Sequence, residues 1–178
     1  MKTIKIFVVL MLSAFVSFSQ KVLNLQDKVT MELPSMAKPI TKTDALSHVN
    51  KTFNNKIISN SLSGTKSDEL YLIDNILISL RTQDIQANSN YLTERKNGID
   101  AMYKSDATYK SYIQKINNNN VLVINYRLTD GNEYYRFYVI NAVFSKSVFG
   151  FIVFNNSDLN KANDILKELL NRLKFKEQ

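Results

Sequence analysis

The chain has 178 residues, a formal charge of +7, no cysteine and a single histidine. That length supports one ordinary hydrophobic core. The missing thiols exclude a disulfide framework, a cysteine nucleophile and a cysteine-based zinc site, and the lysines are dispersed, without the basic block that a nucleic-acid groove would use.

The first element is a leader. MKTIKIFVVLMLSAFVSFSQ places Lys2 and Lys5 before an apolar run over residues 6–16, and small residues follow at Ser17 and Ser19. This is the three-part layout of a secretory signal peptide. The run falls well short of the roughly 20 residues that span a bilayer. Residues 1–19 are therefore expected to be a signal peptide cut after Ser19, and residues 20–178 a single α+β domain. The protein is expected to be exported, to the periplasm or the medium. Without cysteine, no lipid can be attached at a cleavage-site thiol. No later segment is apolar enough to span a membrane.

VTMELP alternates, with Val29, Met31 and Leu33 on one side, and reads as a strand ended by Pro34. Pro39 keeps the next residues extended or turning. Thr41 or Thr43 can cap a helix over 43–53, with Leu46, Val49 and Phe53 on its apolar face. His48 falls roughly opposite that face and is expected to point to water. Residues 54–68 are polar and read as loop.

Residues 68–85 admit two readings. Leu70, Ile73, Leu77 and Leu80 fit a helix, whereas the β-branched alternation of Ile76, Ile78 and Leu80 fits a strand. A strand near 75–83 is favoured. Residues 90–105 suit a helix burying Leu92, Ile99 and Met102, although Gly98 weakens it by about 1 kcal/mol relative to alanine. Residues 109–116 read as a strand, and the asparagines at 117–120 as a polar turn. Three antiparallel strands follow, at 121–129, 133–144 and 147–155. The chain closes with an amphipathic helix whose stripe is Leu159, Ala162, Ile165, Leu166, Leu169, Leu170 and Leu173. Asn156 or Ser157 can cap it.

Asp130-Gly131 is a strong two-residue hairpin signal. Such a loop sets Arg127 opposite Tyr134, Asn125 opposite Arg136 and Val123 opposite Tyr138. One face then holds Leu122, Ile124, Tyr126, Leu128, Tyr135, Phe137 and Val139 as core. The other holds Asn125, Arg127, Tyr134, Arg136 and Tyr138 near the turn. A three-residue loop would mix the two faces and is the poorer choice. A turn at Ser145-Lys146 pairs Val139 with Ile152 and Val143 with Val148. It leaves Ile140, Ala142, Phe149 and Phe151 on the second face, which an earlier helix or loop must cover.

The five residues Asn125, Arg127, Tyr134, Arg136 and Tyr138 are thus the candidate binding patch. Charge-assisted hydrogen bonds from the arginines, with tyrosine rings as stacking surface, suit an acidic protein or another anionic component of the cell envelope. The same residues also suit a solvated sheet face in which tyrosines shield the arginine stems. No catalytic, cofactor or metal residues are expected. One histidine and no cysteine leave no Cys/His dyad, no serine has a nucleophile motif around it, and Gly64 and Gly98 are too isolated for a phosphate loop.

A strand ending at Pro34, a strand in ILISLRTQDI, a helix, the strands of YKSYIQKINNNNVLVINYRL and EYYRFYVINAVFSKSVFGFIVF, and the closing NKANDILKELLNRLKF follow one another. This order resembles the PsbP-like fold, an antiparallel sheet sandwiched by helices, over nearly all of the expected mature chain. The resemblance implies an accessory or binding protein, as most characterised proteins of that fold are. It transfers no functional residues, because it rests on pattern and order and not on a motif. A non-enzymatic accessory or binding protein of the bacterial envelope is the first expectation. A small-ligand carrier or enzyme with a pocket between sheet and helices is the alternative.

Overall fold

The computed structural model describes residues 21–25, 28–63, 69–84, 90–103, 105, 108–128, 131–141, 143 and 145–176. The expected signal peptide at 1–19 lies outside the described residues. The elements in chain order are β1 (Lys21–Leu25), β2 (Val29–Leu33), β3 (Lys38–Pro39), α1 (Lys42–Thr52), α2 (Lys56–Ser63), β4 (Glu69–Ile73), β5 (Ile76–Asp84), α3 (Tyr91–Tyr103), β6 (Tyr109–Ile116), β7 (Asn119–Arg127), β8 (Asn132–Asn141), β9 (Lys146–Asn155), α4 (Leu159–Asn171) and β10 (Lys174–Phe175). Seven strands form one antiparallel sheet in the order β3-β4-β5-β9-β8-β7-β6, and β1-β2-β10 form a second, smaller one.

The turns fix the pairing. Ile116 pairs with Asn119, so Asn117 and Asn118 make a two-residue loop with φ of 48° and 64°. Positive φ at both positions is the type I′ requirement, and asparagine tolerates it better than most residues. The β7–β8 hairpin departs from the sequence expectation. Arg127 pairs with Glu133, Asn125 with Tyr135 and Val123 with Phe137, one residue away from the expected partners. The N–H of Leu128 donates to the carbonyl of Asn132 at 2.8 Å, so three residues rather than two separate the last bonded pair. Gly131, at φ 82°, supplies the left-handed residue that such a loop needs at its end.

The cause lies in β7. Val121, Leu122, Val123 and Ile124 are all buried. A strand covered on both faces shows no inside/outside alternation, so its sequence does not specify the register. Leu122 and Ile124 therefore lie on the opposite face from Tyr135, Phe137 and Val139, in contrast to the expected shared core face. In the next hairpin Val139 pairs with Val148 rather than Ile152, and Val143 is 85% exposed in the loop. That shift is an even number of residues, so the expected face assignments survive it.

The central part of one face of the large sheet is sealed. Phe137, Val139, Val148, Ile152 and Phe154 meet Ile165, Leu166, Leu169 and Leu170 of α4, and Met31 and Leu33 of β2 complete the cluster. Burying each leucine of α4 contributes about 1.5–3 kcal/mol. Gly150 is paired with Phe137, whose ring lies across it; a Cβ there would come within 1.8 Å of the ring. The short 3-10 turn Asn156–Asp158 leads into α4, and Asp158 takes the cap position without a side-chain hydrogen bond, where Asn156 or Ser157 was expected to cap.

The other face is covered by two separate units. Ala45, Val49 and Phe53 from α1 and its end, with Ile58 and Leu62 of α2, pack on Leu70, Leu77, Phe151 and Val153. Leu92 of α3 packs on Leu122, Ile124, Tyr138 and Ile140. Thr41 caps α1: its hydroxyl accepts the Asp44 N–H at 3.1 Å and donates to the Asp44 carboxylate at 2.7 Å. Helix α2 occupies a stretch expected to be loop. Asn55 starts it by accepting the Ile58 N–H at 3.1 Å, and among the described side chains Ile58 and Leu62 anchor it. Met102, expected in the core, is 70% exposed, and Ile99 is half-buried. His48, expected in water, is half-buried. Its Nε2 lies 3.1 Å from the Asn75 carbonyl oxygen and its ring meets Phe53 edge-on at 5.6 Å. No helix among the described residues is long and apolar enough to cross a membrane.

Candidate functional site: an arginine-lined cleft

The one-residue slip divides the expected patch. Asn125 and Arg127 point to the α4 face, whereas Tyr134, Arg136 and Tyr138 point to the face shared by α1, α2 and α3. The five residues therefore do not form one surface. Arg127 lies 3.5 Å from a carboxylate oxygen of Glu133, its cross-strand partner. Tyr134 is core: it stacks on Tyr126 at 5.4 Å and meets Phe151 at 5.2 Å, and burial pushes its hydroxyl up to about 12.

Arg136 and Tyr138 instead belong to a cleft of about 400 Å³. It opens between α2 and α3, where the two helical units leave the middle of the sheet uncovered. Phe149, Phe151 and Tyr138 form its floor, and Arg81, Arg95 and Arg136 converge on it from β5, α3 and β8. Asn60, Ser61 and Ser79 add uncharged polar groups.

Each arginine lies over an aromatic ring. The Arg81 guanidinium carbon is 4.5 Å from the Phe149 centroid, and that of Arg95 is 4.3 Å from Tyr138. That of Arg136 is 5.2 Å from Tyr134 and 5.7 Å from Phe151. The sheet register places these pairs, because Arg81 faces Phe149 across β5–β9 and Arg136 faces Phe151 across β8–β9. Stacking holds a guanidinium plane while leaving N–H groups on its edge for a ligand. Arg95 also donates to the Tyr138 hydroxyl at 3.0 Å. Burial opposes its charge, and the hydroxyls of Tyr138 and Tyr91 outweigh that effect and raise its pKa.

No acidic residue lines the cleft among the described residues. Arg95 and Arg136 have no ion-pair partner there either. Three like charges in a concave site over an apolar floor focus a positive potential. The arrangement suits a carboxylate or phosphate, which guanidinium forks bind bidentately.

Arg81 and Arg95 were not singled out in the sequence. Arg81 carries a signal in retrospect: Ser79, Arg81 and Gln83 are a polar stripe on a strand whose other face begins Ile76, Ile78 and Leu80. Arg95 carries none, because only the placement of α3 brings it to the cleft.

A second polar cluster joins α3 to β6. Asp100 accepts from the Tyr109 hydroxyl at 2.6 Å, from Ser111 at 2.5 Å and from Lys96. Burial opposes the carboxylate's charge, but these three donors outweigh it and hold the group down at about 2. Among the described residues no group of three or more His, Cys, Asp or Glu side chains is placed to hold a metal ion.

No protein-family model matches the chain, and a comparison with curated proteins gives no match. Solved structures do match. The solution structure of cyanobacterial PsbP (CyanoP) from Synechocystis sp. PCC 6803 superposes with a TM-score of 0.54 at 8% identity, over 92% of this chain and 96% of that one. A protein from Bacteroides thetaiotaomicron VPI-5482 matches with a TM-score of 0.50 at 11% identity, over 89% of this chain and 49% of that one, so this chain spans about half its length. A point mutant of the protein Mog1 gives a TM-score of 0.50 at 9% identity, over 87% and 95% of the two chains. At these identities the likeness establishes the fold: it is PsbP-like.

Proposed function

We propose that the protein is an exported, non-enzymatic binding module that holds an acidic segment of a partner protein in the cleft between α2 and α3. One observation carries this: three arginines, each over an aromatic ring, converge where no acidic side chain lines the wall among the described residues. The PsbP-like fold supports it, since most characterised proteins of that fold are accessory or binding proteins. The leader pattern of residues 1–19 supports a place in the cell envelope. Protein recovered from the envelope fraction should begin at Gln20 on N-terminal sequencing. Recovery of a chain still starting at Met1 contradicts export.

The binding test is fluorescence anisotropy with a labelled decapeptide of alternating glutamate and serine. Binding is expected, weakening as salt screens the charges. The double substitution Arg81→Ala/Arg136→Ala is expected to weaken it at least tenfold, and Arg127→Ala to leave it unchanged. Absence of binding, or equal loss in both variants, contradicts the proposal. The cleft volume also favours a second reading, a carrier of a small polyanion, because about 400 Å³ lies within the range of small-molecule sites. Tight binding of citrate with no binding of the peptide selects that second reading.

A further inference from the structure

We infer a second binding site, for a neutral saccharide, on the face of the sheet opposite the arginine cleft. It is a groove of about 490 Å³ between the start of α4 and the ends of β6, β7 and β8. Tyr112, Asn125, Arg127, Glu133, Tyr135 and Asn163 carry its chemistry. It is independent of the arginine cleft and of the function proposed for it.

Glu133 is the first ground. It is 5% exposed and lines the groove. Among the described residues its carboxylate is reached only by long contacts, 3.4 Å from the Asn125 amide and 3.5 Å from Arg127. An ionised carboxylate offers about four acceptor sites, so capacity remains for donors arriving from the groove. Sugar hydroxyls are such donors, and they accept in return from Asn125 and Arg127 beside it.

The mixture of charge is the second ground. An anion entering here meets Glu133, and a cation meets Arg127 and Lys110. A neutral ligand that both donates and accepts meets neither repulsion. The planar amide, carboxylate and guanidinium groups stand side by side, as Asn125 and Arg127 of β7 face Tyr135 and Glu133 of β8. Flat groups of this kind can each engage two adjacent hydroxyls of one ring.

Tyr112 is the third. It is 45% exposed on the edge strand β6, and its ring borders the groove as an apolar plate for the C–H face of a pyranose. Tyr135 is fixed in place, donating to the Asn163 side-chain oxygen at 2.5 Å. Burial, with the Glu133 charge added, pushes its hydroxyl up to about 12, so it stays protonated as a donor.

The test is a glycan array of neutral and acidic glycans probed with the purified protein, followed by calorimetry on the strongest neutral glycan. Retention of a neutral glycan is expected. Tyr112→Ala and Glu133→Gln should each weaken it at least tenfold, while Arg81→Ala/Arg136→Ala leaves it unchanged. Tyr112 is exposed, so its variant should keep the wild-type circular dichroism even if Glu133→Gln does not fold. The inference is overturned if only acidic glycans are retained or none are. It is also overturned if Tyr112→Ala has no effect, or if binding follows Arg81 and Arg136.

Discussion

The two faces of the seven-stranded sheet are covered by different means. On one, α4 and strands β1 and β2 close over a continuous apolar surface. On the other, α1 and α2 form one cover and α3 another, and their cores are separate clusters. The first arrangement concentrates stability. The second leaves a seam between the covers, and the three stacked arginines stand in that seam. A single sheet thus supports a sealed core behind the site and an open floor in front of it.

Substitutions should separate these roles. The largest effect is expected from Phe137→Ala in the sealed face, a loss of about 3–5 kcal/mol measured by chemical denaturation. Gly150→Ala should cost about 1–3 kcal/mol, because its methyl group enters the space of the Phe137 ring. Combining the two should cost less than their sum, since the cavity left by the ring accepts the methyl group. Strict additivity would mean that Phe137 does not lie over Gly150.

On the open face, Arg81→Ala/Arg136→Ala should change stability by less than either core substitution while removing peptide binding. A collapse of stability would show these arginines to be structural. The smallest effect concerns Asp100. Its pKa is lowered in the folded state, so its contribution is complete above about pH 4 and is lost as pH falls towards 2. The difference in melting temperature between the wild type and Asp100→Asn should shrink over that interval, and a constant difference would remove the three-donor account.

Much of this architecture was legible in the sequence. Pro34 ended β2, the asparagines at 117–120 marked the β6–β7 turn, and the leucine stripe of α4 identified the helix that seals one face. What failed did so for physical reasons. Helix α2 is a short stretch of eight residues, half of them serine or asparagine, so its periodicity was too sparse to read. The register of β8 against β7 was lost because four consecutive apolar residues, 121–124, are buried on both sides. Gly131 is the last of three residues between Leu128 and Asn132 rather than the second of two. That single step carried Arg127 to the α4 face. The cleft itself draws Arg81, Arg95 and Arg136 from a strand, a helix and a third element far along the chain, and no local pattern joins them.

The central claim is that Arg136 and Arg127 stand on opposite faces because β7 and β8 pair one residue away from a two-residue hairpin. Cross-strand nuclear Overhauser contacts along this pair test it most directly. The account expects backbone contacts linking Val123 with Phe137 and Asn125 with Tyr135. Contacts linking Val123 with Tyr138 and Asn125 with Arg136 would return both arginines to one face and contradict it.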